Sequence, residues 1–197
     1  MRSKLDIEDI YNAALKIFAE YGYKKTTVDD IAKELNMTKS NLYLYAANKK
    51  DLYEKTVRYA LTNWQTLTLN EVLKEASAAN QFFVLGRKAI DYLDEAHELR
   101  AILKRDPDIF PMFPTNDQYE IIHNGSVEMI RAILENGIRQ KVFRPVNVEN
   151  ISTILFSIYK MFIIRIYVQN SGDKNTIREL FDEALDLATR GFFAVPS

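Results

Sequence analysis

The sequence predicts an all-α protein of about nine helices: a three-helix helix-turn-helix head followed by a larger helical body. Three observations predict it. Apolar residues recur at intervals of three and four through most of the 197 residues, and no segment alternates strictly as a half-buried strand does. Capping side chains stand ahead of successive helix starts in the first fifty or so residues. A single stretch, 106–114, breaks the pattern with Pro107, Pro111 and Pro114.

The first helix is expected from about Asp6 to Tyr21, with Ile7, Ile10, Tyr11, Ala14, Ile17, Phe18 and Tyr21 along one face. Asp6 is its natural N-cap, and Gly22 can adopt the positive φ that ends a helix. Thr27 with Asp30 has the spacing of a capping box, and Val28, Ile31, Ala32 and Leu35 give the next short helix its apolar face. Asn36, which tolerates the left-handed region, supplies the turn. Thr38 caps again, so that Lys39, Ser40 and Asn41 occupy a first helical turn with Leu42 facing inward. Asn48 and Asp51 repeat the pattern for a fourth helix running to about Ala76. Helices then follow at roughly 80–96, 98–106, 116–141, 147–170 and 175–193, with Asn147 and Asn175 ahead of the last two. The proline stretch between them reads as an unusually apolar loop.

Composition narrows the chemistry. The chain has no cysteine and two histidines, which removes disulfides, zinc fingers and thiol nucleophiles and suits a reducing cytoplasm. No metal ligand set, cofactor motif or catalytic residue is assigned. The N-terminus lacks the uninterrupted apolar core of an export signal. The apolar run 151–168 contains Lys160 and Arg165 and reads as a buried helix; no membrane partner is expected. Net charge is −1, slightly basic in the first sixty residues and slightly acidic beyond. Affinity for a polyanion must therefore come from where lysines point, not from bulk charge.

Two short helices joined by a tight turn are the minimal device for placing a helix in the major groove of double-stranded DNA. In such a device the first turn of the second helix meets base edges, and flanking groups hold phosphates. Lys39 can donate to guanine, Asn41 can pair with adenine, and Ser40 can reach either. Thr27, Thr38, Tyr43 and Lys49 are placed for phosphate: the threonines by hydroxyl and helix-terminal amides, Tyr43 by its phenol, Lys49 by its ammonium. Taken singly, the threonines are more ordinary as caps, Tyr43 as a core aromatic and the lysines as a solvated face; the ordered pattern favours DNA.

That pattern resembles the tetracycline-repressor (TetR) family of bacterial regulators. The matching residues are Ala13-Ala14, Phe18, Gly22-Tyr23, Thr26-Thr27-Val28, Ile31-Ala32, Leu35, Thr38-Lys39, Leu42-Tyr43, Lys49 and Leu52-Tyr53, covering about the first quarter of the chain. A weaker echo lies at 142–147. The resemblance implies a two-fold dimer, a DNA-binding head in 1–47 and an effector-binding and dimerisation body in 48–197. Ser40 replaces a frequent glycine, Asn36 replaces the glycine of the turn, and Ala46 replaces a large aromatic that Tyr45 or Leu44 must make good.

In the body, Trp64, Phe83, Tyr92, Phe110, Phe113, His123, Met129, Tyr159 and Phe162 are candidates to line a pocket for a largely apolar or aromatic small molecule, although aromatic stripes more often simply pack. Phe82 and Met112 belong to the same set. Ile154, Ile158, Leu180, Phe181, Ala184 and Leu185 on the last two helices are the expected homodimer interface, which would set two recognition helices on successive major grooves of a pseudo-palindromic operator. Together these describe a ligand-released repressor in the cytoplasm. The weighed alternatives are an adaptor that has lost operator binding and an enzyme using His97 or His123 as base with a nearby Asp, Glu or Ser126 as partner.

Overall fold

Of the first four helices, the second, third and fourth begin where a side chain caps them. The computed structural model describes residues 6–111, 117–169 and 174–192, and among these the regular elements are nine α-helices with one 3-10 turn. Helix α1 (Ile7–Tyr21) starts after Asp6, which has the extended backbone of an N-cap but makes no side-chain capping bond. It ends at Gly22, whose φ is +79°. Helix α2 (Val28–Glu34) opens on a complete capping box: Asp30 N–H donates to the Thr27 hydroxyl, and the Asp30 carboxylate accepts from Thr27 N–H. The turn passes through Asn36 at φ +51°, with Met37 N–H donating to the Ala32 carbonyl as a helix-ending turn requires. Helix α3 (Lys39–Leu42) is a single turn capped by Thr38, continued to Tyr45 by tighter i→i+3 bonds. Asn48 caps α4 (Lys49–Val72).

Helices α5 (Ala78–Glu95) and α6 (His97–Arg105) lead to a 3-10 turn at Pro107–Ile109. Helices α7 (Glu120–Arg139), α8 (Val148–Ile163) and α9 (Lys174–Phe192) complete the body. Helix α8 runs on through Ile164–Val168 with widened π geometry, Gln169 N–H reaching back to the Ile164 carbonyl. The stretch Val148–Val168 is long and apolar enough to cross a membrane by composition alone. Here it buries Leu155, Phe156, Phe162 and Ile163 against the rest of the fold.

Helix boundaries differ from the periodic reading where a distant group intervenes. Helix α4 stops at Val72 rather than near Ala76, and α5 starts earlier than expected because Gln140, from the end of α7, accepts from Ala78 N–H and donates to the Ala76 carbonyl. Helix α7 begins at Glu120, after Asp117 accepts from Tyr119 N–H. Asn175 lies inside the first turn of α9 and not at its cap. The apolar proline stretch is explained in part: Ile109 is fully buried and Phe110 nearly so, while Met112, Phe113 and Pro114 lie outside the described residues.

Helix α1 packs on α4 and α6, α4 on α5 and α7, and α7 on α8. One apolar core runs from Ile10, Phe18, Ile31 and Leu42 through Leu52, Val57 and Leu93 to Leu103, Ile163 and Ile177, so head and body share it. A second cluster at the far end gathers Val72, Phe82, Ile133, Leu134, Phe143 and Phe156. Phe143 packs where a side chain on Gly137 would stand: a Cβ there would lie 1.9 Å from the ring.

Candidate functional site

The recognition turn is held from below and bare above. Leu42 and Ala46 are buried, whereas Thr38, Lys39, Ser40, Asn41, Tyr43 and Leu44 are exposed. Tyr45 packs against the core and takes up the space beside Ala46; Leu44, 81% exposed, does not. Lys55 Nζ donates to the Tyr45 carbonyl at 3.1 Å and to Asp51 at 2.9 Å, pinning the end of the recognition segment onto α4. Lys55 escapes sequence reasoning because only the fold brings it under Tyr45. Lys39 Nζ lies 3.0 Å from Asp29 Oδ2, both largely exposed. Such a pair holds weakly in water, so the ammonium is at hand for another acceptor.

Two expected phosphate ligands are otherwise employed. The Thr27 hydroxyl donates to Asp30 Oδ2 at 2.7 Å while accepting from Asp30 N–H, and the Thr38 hydroxyl accepts from Asn41 N–H at 3.2 Å. Both therefore cap. Lys49 is a clear correction: its ammonium turns back onto the carbonyls of Tyr23 at 2.9 Å, Thr26 at 3.1 Å and Lys24 at 3.5 Å, over the Tyr23 ring at 4.6 Å. Its three protons close the turn after α1, which an i-to-i+26 contact hides from local reading.

The body encloses a cavity of about 90 Å³ between α4, α5, α7, α8 and α9. Of the expected residues, Trp64, Phe110, His123, Met129 and Tyr159 line it, joined by Phe82. Three others do not. Phe83 sits one residue round α5 from Phe82, a rotation of about 100° that takes it off the wall; its ring meets Phe82 edge-on. Tyr92 stacks behind Trp64 with ring centroids 6.5 Å apart. Phe162 is buried in the main core, edge-on to Phe181 at 5.1 Å. Phe113 lies outside the described residues. Sequence reasoning missed Gln65, Thr68 and Ser126, polar groups on the same wall that a search for aromatics passes over.

The expected interface set divides likewise. Ile154 and Leu180 are exposed at 51% and 40%, with Leu187 at 71% beside them in sequence register. Ile158, Phe181, Ala184 and Leu185 instead turn toward their own chain and line the cavity, because α8 and α9 each use one face internally. Lys160 does not point into the cavity; it donates to the Pro111 carbonyl at 3.1 Å. Arg165 is partly exposed and also absent from the lining.

His97 is exposed on α6 beside Arg100, while His123 is buried with Nδ1 2.5 Å from Asp117 Oδ2. The Ser126 hydroxyl bonds to Gln65 and the Ile122 carbonyl, so no base is paired with it. Among the described residues no cluster of three metal-ligating side chains occurs.

A family profile described as "Bacterial regulatory proteins, tetR family" matches residues 10–56. IcaR, the biofilm operon icaADBC HTH-type negative transcriptional regulator of Staphylococcus aureus (strain Newman), is 43% identical over 51 residues, 26% of this chain and 27% of its own length. That match thus spans about a quarter of the relative. YhgD, an HTH-type transcriptional regulator of Bacillus subtilis (strain 168), is 23% identical over 182 residues, 92% of this chain and 93% of its own. Among solved structures, a TetR transcription regulator from Haloarcula marismortui ATCC 43049 superposes with a TM-score of 0.79 at 19% identity, covering 95% of this chain and 97% of that one. FadR from Bacillus subtilis in complex with stearoyl-CoA does so with a TM-score of 0.72 at 19% identity, covering 94% and 99%. Residues 10–56 thus match the head of the TetR family of bacterial regulatory proteins, and the chain shares its fold over nearly its full length with a solved TetR regulator.

Proposed function

We propose that the protein is a cytoplasmic, ligand-responsive DNA-binding repressor that acts as a homodimer on a pseudo-palindromic operator. The observation that carries this reading is the recognition turn: Lys39, Ser40 and Asn41 stand exposed in the first turn of α3, anchored by buried Leu42. Lys39 and Asn41 read bases, Ser40 permits close approach, and Tyr43 sets register on phosphate, with Thr27 and Thr38 acting as the caps that hold their helix starts. Residues 1–47 form the DNA-binding part and 48–197 the effector and dimerisation part. The exposed apolar side chains of Ile154, Leu180 and Leu187 support pairing through α8 and α9.

The apolar cavity supports a small, largely apolar or aromatic effector. Release needs the ligand to prefer one head position over another by about 1–3 kcal/mol. The end of α6 supports such coupling. Arg105 donates to the Ala19 and Glu20 carbonyls at the end of α1, the Tyr53 phenol on α4 donates to Asp106 at 2.8 Å, and Phe110, four residues on, is a cavity wall.

The test is a fluorescence-anisotropy titration onto duplex from upstream of the protein's own gene, at fixed physiological salt with unrelated competitor duplex. Competitor-resistant binding that falls tenfold or more in Lys39→Ala and Asn41→Ala is expected. If both variants bind as the wild type does, on this duplex and on one selected from random sequence, the head does not read DNA through this turn.

A further inference from the structure

The polar groups on the otherwise apolar cavity wall are mostly engaged within the protein. Gln65 Nε2 donates to the Ile122 carbonyl and to the Ser126 hydroxyl, both at 2.9 Å. The Thr68 hydroxyl donates to the Trp64 carbonyl, and the Trp64 indole N–H to the Ala89 carbonyl. His123 differs. Its side chain is only 8% exposed, Nδ1 lies 2.5 Å from Asp117 Oδ2, and Nε2 has no hydrogen-bond partner among the described residues. The rings of Phe110 and Phe156 flank the imidazole, with centroids 4.8 and 6.0 Å away.

The two ring nitrogens lie on different edges. Where Nδ1–H donates to the Asp117 carboxylate, Nε2 of a neutral imidazole carries a lone pair, and His123 is one of the residues that line the cavity. A buried acceptor without a partner is costly, and a ligand donor relieves the cost. The same wall argues against a charged head group. Among the described residues no lysine or arginine lines the cavity, so an anion would find only an imidazole backed by the Asp117 carboxylate. Size limits the remainder of the molecule. The cavity of about 90 Å³ is smaller than the roughly 150 Å³ apolar void that admits benzene, so a single ring or slender chain fits with adjustment of flexible Met129.

We propose that the effector is a neutral amphipathic molecule of about one ring's bulk whose single hydroxyl donates to His123 Nε2, Asp117 being the positioning residue that holds the acceptor tautomer. This rests on the reading of the cavity as the effector site. Trp64, the single tryptophan and a wall of the cavity, is the reporter. Its emission is followed while the full-length protein is titrated with para-cresol, its methyl ether, toluene and para-toluate.

The phenol is expected to bind at least tenfold more tightly than the ether or the hydrocarbon, as a site that must leave a buried acceptor unpaired discriminates. In His123→Phe that preference should vanish while toluene still quenches, and Asp117→Asn should reduce the preference. Should the His123 variant not fold, the wild-type series still decides. Equal affinity for phenol and ether would overturn the role of His123 and leave the cavity an effector site. Tightest binding of the toluate would overturn the neutral head group in favour of an imidazolium contact. If none of the four changes Trp64 emission, the effector-site reading fails, and this inference with it.

Discussion

Lys49 shows how one side chain can keep its position in a motif and carry a different task. Its ammonium satisfies three carbonyl acceptors of the turn after α1, and hydrogen bonds to a charged donor are among the stronger ones. Lys49→Ala is therefore expected to lower stability by about 1–2 kcal/mol, a loss of about 2–8 °C in Tm by thermal denaturation. The slope of log affinity against log salt on operator DNA should not change; a slope shallower by about one would return the ammonium to a phosphate. The capping roles of Thr27 and Thr38 were legible because their partners, Asp30 and Asn41, lie within three residues. His123 was visible only as an isolated histidine, because the meaning of its ring depends on Asp117 and two aromatics from other segments.

Helix starts carry their own acid dependence. The bond from Thr27's hydroxyl, then that from its N–H, holds the Asp30 carboxyl below its ordinary value, and Lys55 followed by the Ala47 N–H does the same for Asp51. A carboxylate depressed in the folded state stabilises above its unfolded value near 3.8, and that contribution is lost as pH falls through the lower folded value. Tm should therefore drop between about pH 5 and pH 2, and Asp51→Asn should lower Tm at neutral pH and flatten the acid limb. A variant with an unchanged acid limb would remove Asp51 from the account. At the other end, Gly137 leaves room for Phe143, so Gly137→Ala is expected to destabilise by about 1–3 kcal/mol in chemical denaturation, whereas Gly191→Ala, with open space around it, should not. The caps of α2, α3, α4 and α8 were readable in the chain; the start of α5 was not, since Gln140 supplies its cap from another helix.

Across the whole molecule, one core joins head and body, and the end of α6 touches both α1 and α4 close to the cavity wall. Tyr53→Phe removes the bond to Asp106 without emptying space. It is expected to shift the ligand concentration that releases DNA while ligand affinity, read from Trp64, stays constant; a parallel shift in both would show that Tyr53 shapes the cavity and not the coupling. Leu187→Glu should convert the dimer to monomer in light scattering and weaken operator binding, whereas Leu73→Glu, at a similarly exposed position of 67%, should do neither. Unchanged mass for Leu187→Glu would move the interface off this face of α9. Helical class, helix order and the polar first turn of α3 follow from the chain's local pattern, because periodicity and caps act between residues a few positions apart. Packing in three dimensions makes Ile158, Phe181, Ala184 and Leu185 turn inward, lets Lys49 close a turn, and sets His123 against Asp117 with Nε2 buried and without a partner among the described residues. Each of these depends on groups tens of residues apart or on which of two apolar faces is covered, and chain packing, not local pattern, makes that choice.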